Sequence, residues 1–123
     1  MSQHAIVHLE IPATDPAAAS KFYADLFAWN TQVEPTFNYH TFQAASGPGG
    51  GFVQVCPDGG YKPGEVVVYV STDDIDATLV KAEALGGKTL HPKSEIPGVG
   101  WYAFFADPAG NRIGLFTSMM QQS

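Results

Sequence analysis

Cationic side chains are scarce in this chain. Its 123 residues include six Lys and Arg against twelve Asp and Glu, for a formal net charge of −6. A general nucleic-acid binder needs a basic face to displace counterions, so the composition argues against that class. Cysteine is nearly absent: Cys56 stands alone, which excludes an intrachain disulfide framework and fits a reducing compartment. Long apolar runs are missing as well. No stretch approaches the ~20 residues of a membrane span, and the opening MSQHAIVHLE has no basic segment leading into an apolar one. The expectation is a cytoplasmic protein with no membrane or nucleic-acid partner. The length allows one domain over 1–123 with a real core, and not two ordinary ones.

Glycine and proline are plentiful, at 13 and 9 residues, and only 15% of the chain is charged, which favours strands and turns. AIVHLEI at 5–11 alternates as a strand, with Val7, Leu9 and Ile11 on one face and Ile6, His8 and Glu10 on the other. Asp15 is a good N-cap and Pro16 suits a first helical position. Phe22, Tyr23, Leu26 and Phe27 then form (i, i+4) pairs on an expected core-facing stripe. FNYHTFQA at 37–44 and GFVQVC at 51–56 read as strands, and SGPGGG at 46–51 as the turn between them. Cys56 is read as a small strand residue ahead of the turn cluster Pro57–Gly60.

The second half repeats the plan. A strand around Val66–Ser71 leads to a helix starting near Asp73 or Asp74, with Ile75, Leu79, Ala82 and Leu85 at helical spacing and Gly86-Gly87 as the stop. KTLHP, a PGVG turn, the strand WYAFFA, the turn DPAG and the strand NRIGLFT follow. A shift of 59 residues places Ile11 on Val70, Asp15 on Asp74, Ala18 on Ala77, Leu26 on Leu85 and His8 on Val67. The reading is an α+β chain of two modules, 4–56 and 65–118. Their helix-backed sheet faces would make the core, and their other faces a cleft.

The order "strand with His8, then D-P-x-x-x-x-x-F-Y, a second β-α module ending A-L-G-G, then D-P-x-G-N-x-x-x-L" resembles the vicinal oxygen chelate superfamily. That group contains glyoxalase I, extradiol dioxygenases and bleomycin-resistance proteins. The likeness covers about residues 5–117 and implies two βαβββ modules forming a curved, cleft-enclosing mixed sheet. It also implies a homodimer, small glyoxalase-like relatives being commonly dimeric.

The resemblance further implies four metal-ligand positions. His8 stands at the first, fourteen residues before Phe22. Val67 stands where a second His or Gln is usual, and Gly114 where D-P-x-G-x-x-x-E carries its Glu. Gln54 is the nearest candidate for the remaining position. Two positions without donors cannot hold a divalent ion tightly, so no metal or other cofactor is expected, and a true glyoxalase I activity is not.

Strand parity assigns the cleft. His8 and Glu10 share one face as candidate acid–base residues, although a lone strand histidine is ordinarily structural. Gln54, Val67, Tyr69, Arg112, Gly114 and Phe116 line the expected ligand cleft, with Arg112 either a solvated rim residue or an anion anchor. Three functions follow. The first is a metal-free small-molecule binder with an apolar, aromatic cleft, as in the resistance proteins. The second is a metal-independent lyase or isomerase using His8 and Glu10. The third is a non-catalytic interaction module whose cleft is filled by Val67, Phe104 and Phe116. Gly49–Gly51 lacks the Lys-Ser/Thr of a phosphate loop, and His4 is expected to fray.

Overall fold

A computed structural model describes residues 4–36, 39–55 and 61–119. The order is β1 (Ile6–Ala13), α1 (Pro16–Phe27), β2 (Asn30–Glu34), β3 (Tyr39–Gln43), β4 (Gly49–Gln54), β5 (Val67–Ser71), α2 (Ile75–Ala84), β6 (Lys88–Ile96), β7 (Gly100–Ala106) and β8 (Arg112–Ser118). The chain is α+β, and βαβββ occurs twice. Cys56, the Pro57–Gly60 turn, Phe37 and Met120 lie outside the described residues.

Asp15 and Asp74 start the two helices in the same way. Each has extended backbone, and their carboxylates accept from Ala18 N at 3.2 Å and Ala77 N at 3.0 Å. Each bond satisfies a backbone donor that the first helical turn would otherwise leave unpaired. Donors and acceptors alike are 59 residues apart, as the sequence repeat requires.

The described residues fall into two compact units, within His8–Val67 and within Met1–Val7 plus Val68–Ser123. In the first, the strand order is β2-β3-β4-β1, with β1 parallel to β4 and the other pairs antiparallel. Its core is Ala13, Phe42 and Phe52, packed with Leu9, Ile11, Ala19, Tyr23 and Trp29. Aromatic stacking holds it: Trp29 lies 4.6 Å from Phe42 and Tyr23 lies 5.5 Å from Phe52, ring centre to ring centre.

Two expectations fail in this unit. Of the expected helix stripe only Tyr23 meets the core, beside Ala19, on a row about 60° round from Phe22–Leu26. Phe22, Leu26 and Phe27 are exposed at 59%, 57% and 54%. Gly49–Gly51 belong to β4 and not to a turn. A Cβ on Gly50 would strike Leu9 O and the Phe42 ring, and one on Gly49 would strike Phe42 O and Gln43. Glycine is there because backbone and rings pass too close for any side chain. Strand β2 escaped the sequence reading because NTQVE is a polar, mostly exposed segment without alternation.

The second unit has the order β5-β8-β7-β6, again one parallel and two antiparallel pairs. Ile75, Leu79, Ala103 and Leu115 form its core, with Val70, Trp101 and Phe105 against it. Burying side chains of this kind contributes ~1.5–3 kcal/mol each. Leu85, read as part of the apolar stripe, is 71% exposed because the helix ends at Ala84. Gly86 takes φ +104° beyond that end. His4 is not frayed: its N–H donates to Ser71 O at 2.8 Å, and Ser71 N donates to Ala5 O at 2.9 Å. No described helix is long and apolar enough to cross a membrane.

In the DPAGN turn, Asp107 Oδ1 accepts from Ala109 N at 3.0 Å and Asn111 N at 2.8 Å, while Asn111 Nδ2 donates to Oδ2 at 3.1 Å. Gly110 supplies the left-handed residue, at φ +96°.

Candidate functional site

Strand alternation on β1 puts His8 and Glu10 on one face, and the parallel register sets Gly51 beside Glu10. A Cβ on Gly51 would collide with the Tyr39 ring. The glycine therefore lets Tyr39 reach across β4 to β1. There Tyr39 Oη donates to Glu10 Oε2 at 2.9 Å, and Tyr61 Oη donates to Glu10 Oε1 at 2.9 Å. His8 Nε2 lies 3.0 Å from Tyr39 Oη and 3.6 Å from Glu10 Oε2.

Proton accounting orders this network. A phenol has one proton, and Tyr39 gives its own to Glu10. At the His8 contact Tyr39 must then accept, so His8 carries its proton on Nε2. Glu10 is only 13% exposed and is stabilised by two phenol donors. Burial first, then the charge and hydrogen bond of Glu10, then Tyr61, hold the Tyr39 hydroxyl far above the ordinary phenol range. Tyr39 is thus a fixed donor and not an acid.

Strand parity set His8 and Glu10 on one face, where the structure has them 3.6 Å apart, but it pointed to neither Tyr39 nor Tyr61. The available signal was Gly51, since a glycine inside a strand marks a close approach. Beside the network lies a cavity of about 620 Å³, lined by Tyr39, Tyr61, His40, Phe52, Val53 and Asp15, among others. That size is typical of small-ligand sites.

Within the second unit, Tyr69, Phe104 and Arg112 share a face with Gly114. The registers pair Tyr69 with Gly114, Gly114 with Phe104, and Phe116 with Tyr102. A Cβ on Gly114 would stand 2.5–2.9 Å from Tyr69 ring atoms. Tyr69 is 5.7 Å from Phe104, and the Arg112 guanidinium sits 5.3 Å above the Phe104 ring. His91 stacks on Tyr102 at 5.1 Å. Val67, Tyr69 and Ser71 are buried, whereas Phe104, Arg112 and Phe116 are half-buried.

The ligand positions implied by the family resemblance do not fit a metal. Val67 and Gly114 have no donor atoms. Under the 59-residue shift Glu10 corresponds to Tyr69, so their register partners Gly51 and Gly114 correspond too. The counterpart of Gly114 is therefore Gly51 and not Gln54. Gln54 pairs with Ala13, alternates to the face opposite Glu10 and donates to Thr14 O at 2.8 Å. Only His8 retains a donor. Among the described residues, no three His, Cys, Asp or Glu side chains are grouped to hold an ion.

Residues 5–115 match the family model described as the Glyoxalase/Bleomycin resistance protein/Dioxygenase superfamily. A glyoxylase-like domain-containing protein of Didymella fabae is 34% identical over 123 residues, covering 89% of this chain and 90% of its own. The protein CFP32 of Mycobacterium bovis is 28% identical over 113 residues, covering 88% of this chain but 43% of its own, so the chain spans less than half of that relative. Among solved structures, a variant of Streptomyces coelicolor methylmalonyl-CoA epimerase in complex with 2-nitronate-propionyl-CoA superposes with a TM-score of 0.67 at 19% identity, covering 99% of each chain. That likeness is one of fold.

Proposed function

We propose that this chain, which belongs to the glyoxalase/bleomycin resistance protein/dioxygenase superfamily, is a metal-free binder of a small organic molecule, held in the cavity flanked by Tyr39 and Tyr61. The observation that carries the reading is the commitment of Glu10: each of its oxygens accepts a phenol proton, and Tyr39 also engages His8. A carboxylate and an imidazole in a hydrogen-bonded network with two tyrosines make a rigid recognition element beside an aromatic wall. Glycines at 51 and 114 and valine at 67 leave a metal without the donors that tight binding needs. A cytoplasmic location and a homodimer are part of the same proposal.

Melting curves of chelator-stripped protein against Ni, Zn, Mn, Fe and Co, with elemental analysis of untreated protein, test the metal-free part. Stabilisation by a library of small aromatic compounds tests the binder part, since a ligand at 100 times its Kd adds ~2.7 kcal/mol to folding. The expected result is no metal response and at least one stabilising compound. One metal bound per chain with a clear stabilisation would sink the reading.

The 3.6 Å approach of His8 to Glu10 favours a second reading, a metal-independent lyase or isomerase in which His8 moves a proton. Glu10, with both oxygens occupied, would orient and not abstract. This reading requires turnover that His8→Ala abolishes and Tyr61→Phe only reduces.

A further inference from the structure

We infer that the cavity beside Tyr39 and Tyr61 selects a cationic aromatic ligand, a protonated amine on a planar ring system, over neutral and anionic compounds of the same shape. This rests on the reading of the cavity as a binding site.

The first argument is hydrogen-bond polarity. Tyrosine hydroxyls usually serve a ligand as donors. Here Tyr39 and Tyr61 both give their single proton to Glu10. What such phenols present is a ring face and no spare proton, which suits a cation and offers no donor to a carbonyl or carboxylate. Gln54 spends an amide proton on Thr14 O. Asp15, also at the cavity, brings a carboxylate.

The second argument is charge. Among the described residues lining the cavity there is no Lys or Arg. The sequence from His8 to Val67 holds Glu10, Asp15, Asp25, Glu34, Asp58 and Glu65 against Lys21 and Lys62. Lys21 is engaged by Asp25 at 2.7 Å. Glu10, 13% exposed and directly behind both phenols, is shielded from solvent and projects its field through them. An anion entering this cavity would meet the Asp15 carboxylate and no donor from either phenol, with only His40 and the first turn of α1 to offset that.

The third argument is the wall. Tyr39 and Tyr61 line the cavity together with Val53. Electron-rich rings attract a cation through their quadrupole, and hydrogen bonding to a carboxylate adds electron density to a phenol.

The test uses three naphthalene probes that differ in charge: 1-naphthylmethylammonium, 1-naphthalenemethanol and 1-naphthoate, titrated calorimetrically at pH 7.5 in low salt and in 0.15 M salt. The ammonium is expected to bind about tenfold or more tighter than the naphthoate, with the alcohol between, and Glu10→Gln should narrow that gap. A Val53→Trp variant, which fills the cavity, should abolish ammonium binding. Its persistence there would mean that the net charge attracts the probe non-specifically, and would overturn the assignment. Equal affinities, or a preference for naphthoate, would overturn the charge selection and leave the binder reading standing. No binding by any of the three would overturn both. The wild-type affinity ratio decides the question even if Glu10→Gln does not fold.

Discussion

The ring of Tyr69 occupies the space in which a side chain at Gly114 would begin. The two residues are register partners on the parallel strands β5 and β8. The position where relatives would carry a glutamate is therefore not an unfilled gap but half of a packed pair. The same device recurs in the other unit, where the Tyr39 ring lies over Gly51.

Gly114→Ala is expected to destabilise the protein by ~1–3 kcal/mol through overpacking. Tyr69→Leu should relieve much of that cost, so the double variant is more stable than the sum of the single effects predicts. Urea denaturation of the four proteins measures the coupling, and strict additivity would show that the ring does not depend on the glycine.

Stability at high pH should report Tyr39. Its folded-state pKa is raised, by burial first and then by Glu10, so the folded protein holds this proton more tightly than the unfolded chain does. The contribution is fully present below the ordinary phenol value of ~10 and declines as pH rises above it. Between pH 10 and 11 the unfolding free energy of the wild type should fall more steeply than that of Tyr39→Phe. Ultraviolet titration should show at least one tyrosine failing to ionise in this range. Parallel slopes would contradict the network.

Asp107 carries the opposite sign. Hydrogen bonds, first from the Asn111 backbone and then from the Asn111 side chain, with smaller ones from Ala109 and Gly110, hold its carboxyl below the usual carboxylate range. Its contribution is present above pH ~4 and lost as pH falls through the lowered value. Asp107→Ala should lower the melting temperature more at pH 7 than at acidic pH below ~4. An equal loss at both would mean that the charge plays no part.

Removing a helix cap tests the repeat. Asp74→Ala and Asp15→Ala should each cost ~1 kcal/mol, and the Asn replacements much less. Chemical denaturation decides this. A loss confined to one helix would show that the matching geometry does not carry matching energetics.

Much of the fold was legible because its signals are local. Asp15 and Asp74 had to cap because a short carboxylate after a strand and before an apolar helix has few other uses, and Gly86 and Gly110 sit where positive φ is needed. Within the candidate site only His8 and Glu10 were legible, since two residues apart on a strand is a local relation. The α1 stripe misled because Phe22 and Leu26 fit helical spacing as well as Ala19 and Tyr23 do. Spacing does not say which stripe meets the sheet.

By itself, then, the sequence determined the order of elements apart from β2, the two helix starts, the repeat and the absence of donors at positions 67 and 114. Each depends on residue identity or on spacing within a few residues. Only the tertiary structure decided that Tyr39 and Tyr61, 29 and 51 residues from Glu10, give it their protons. It alone decided that Gly51 and Gly114 are seats for aromatic rings, because register across strands brings together side chains that no local pattern links.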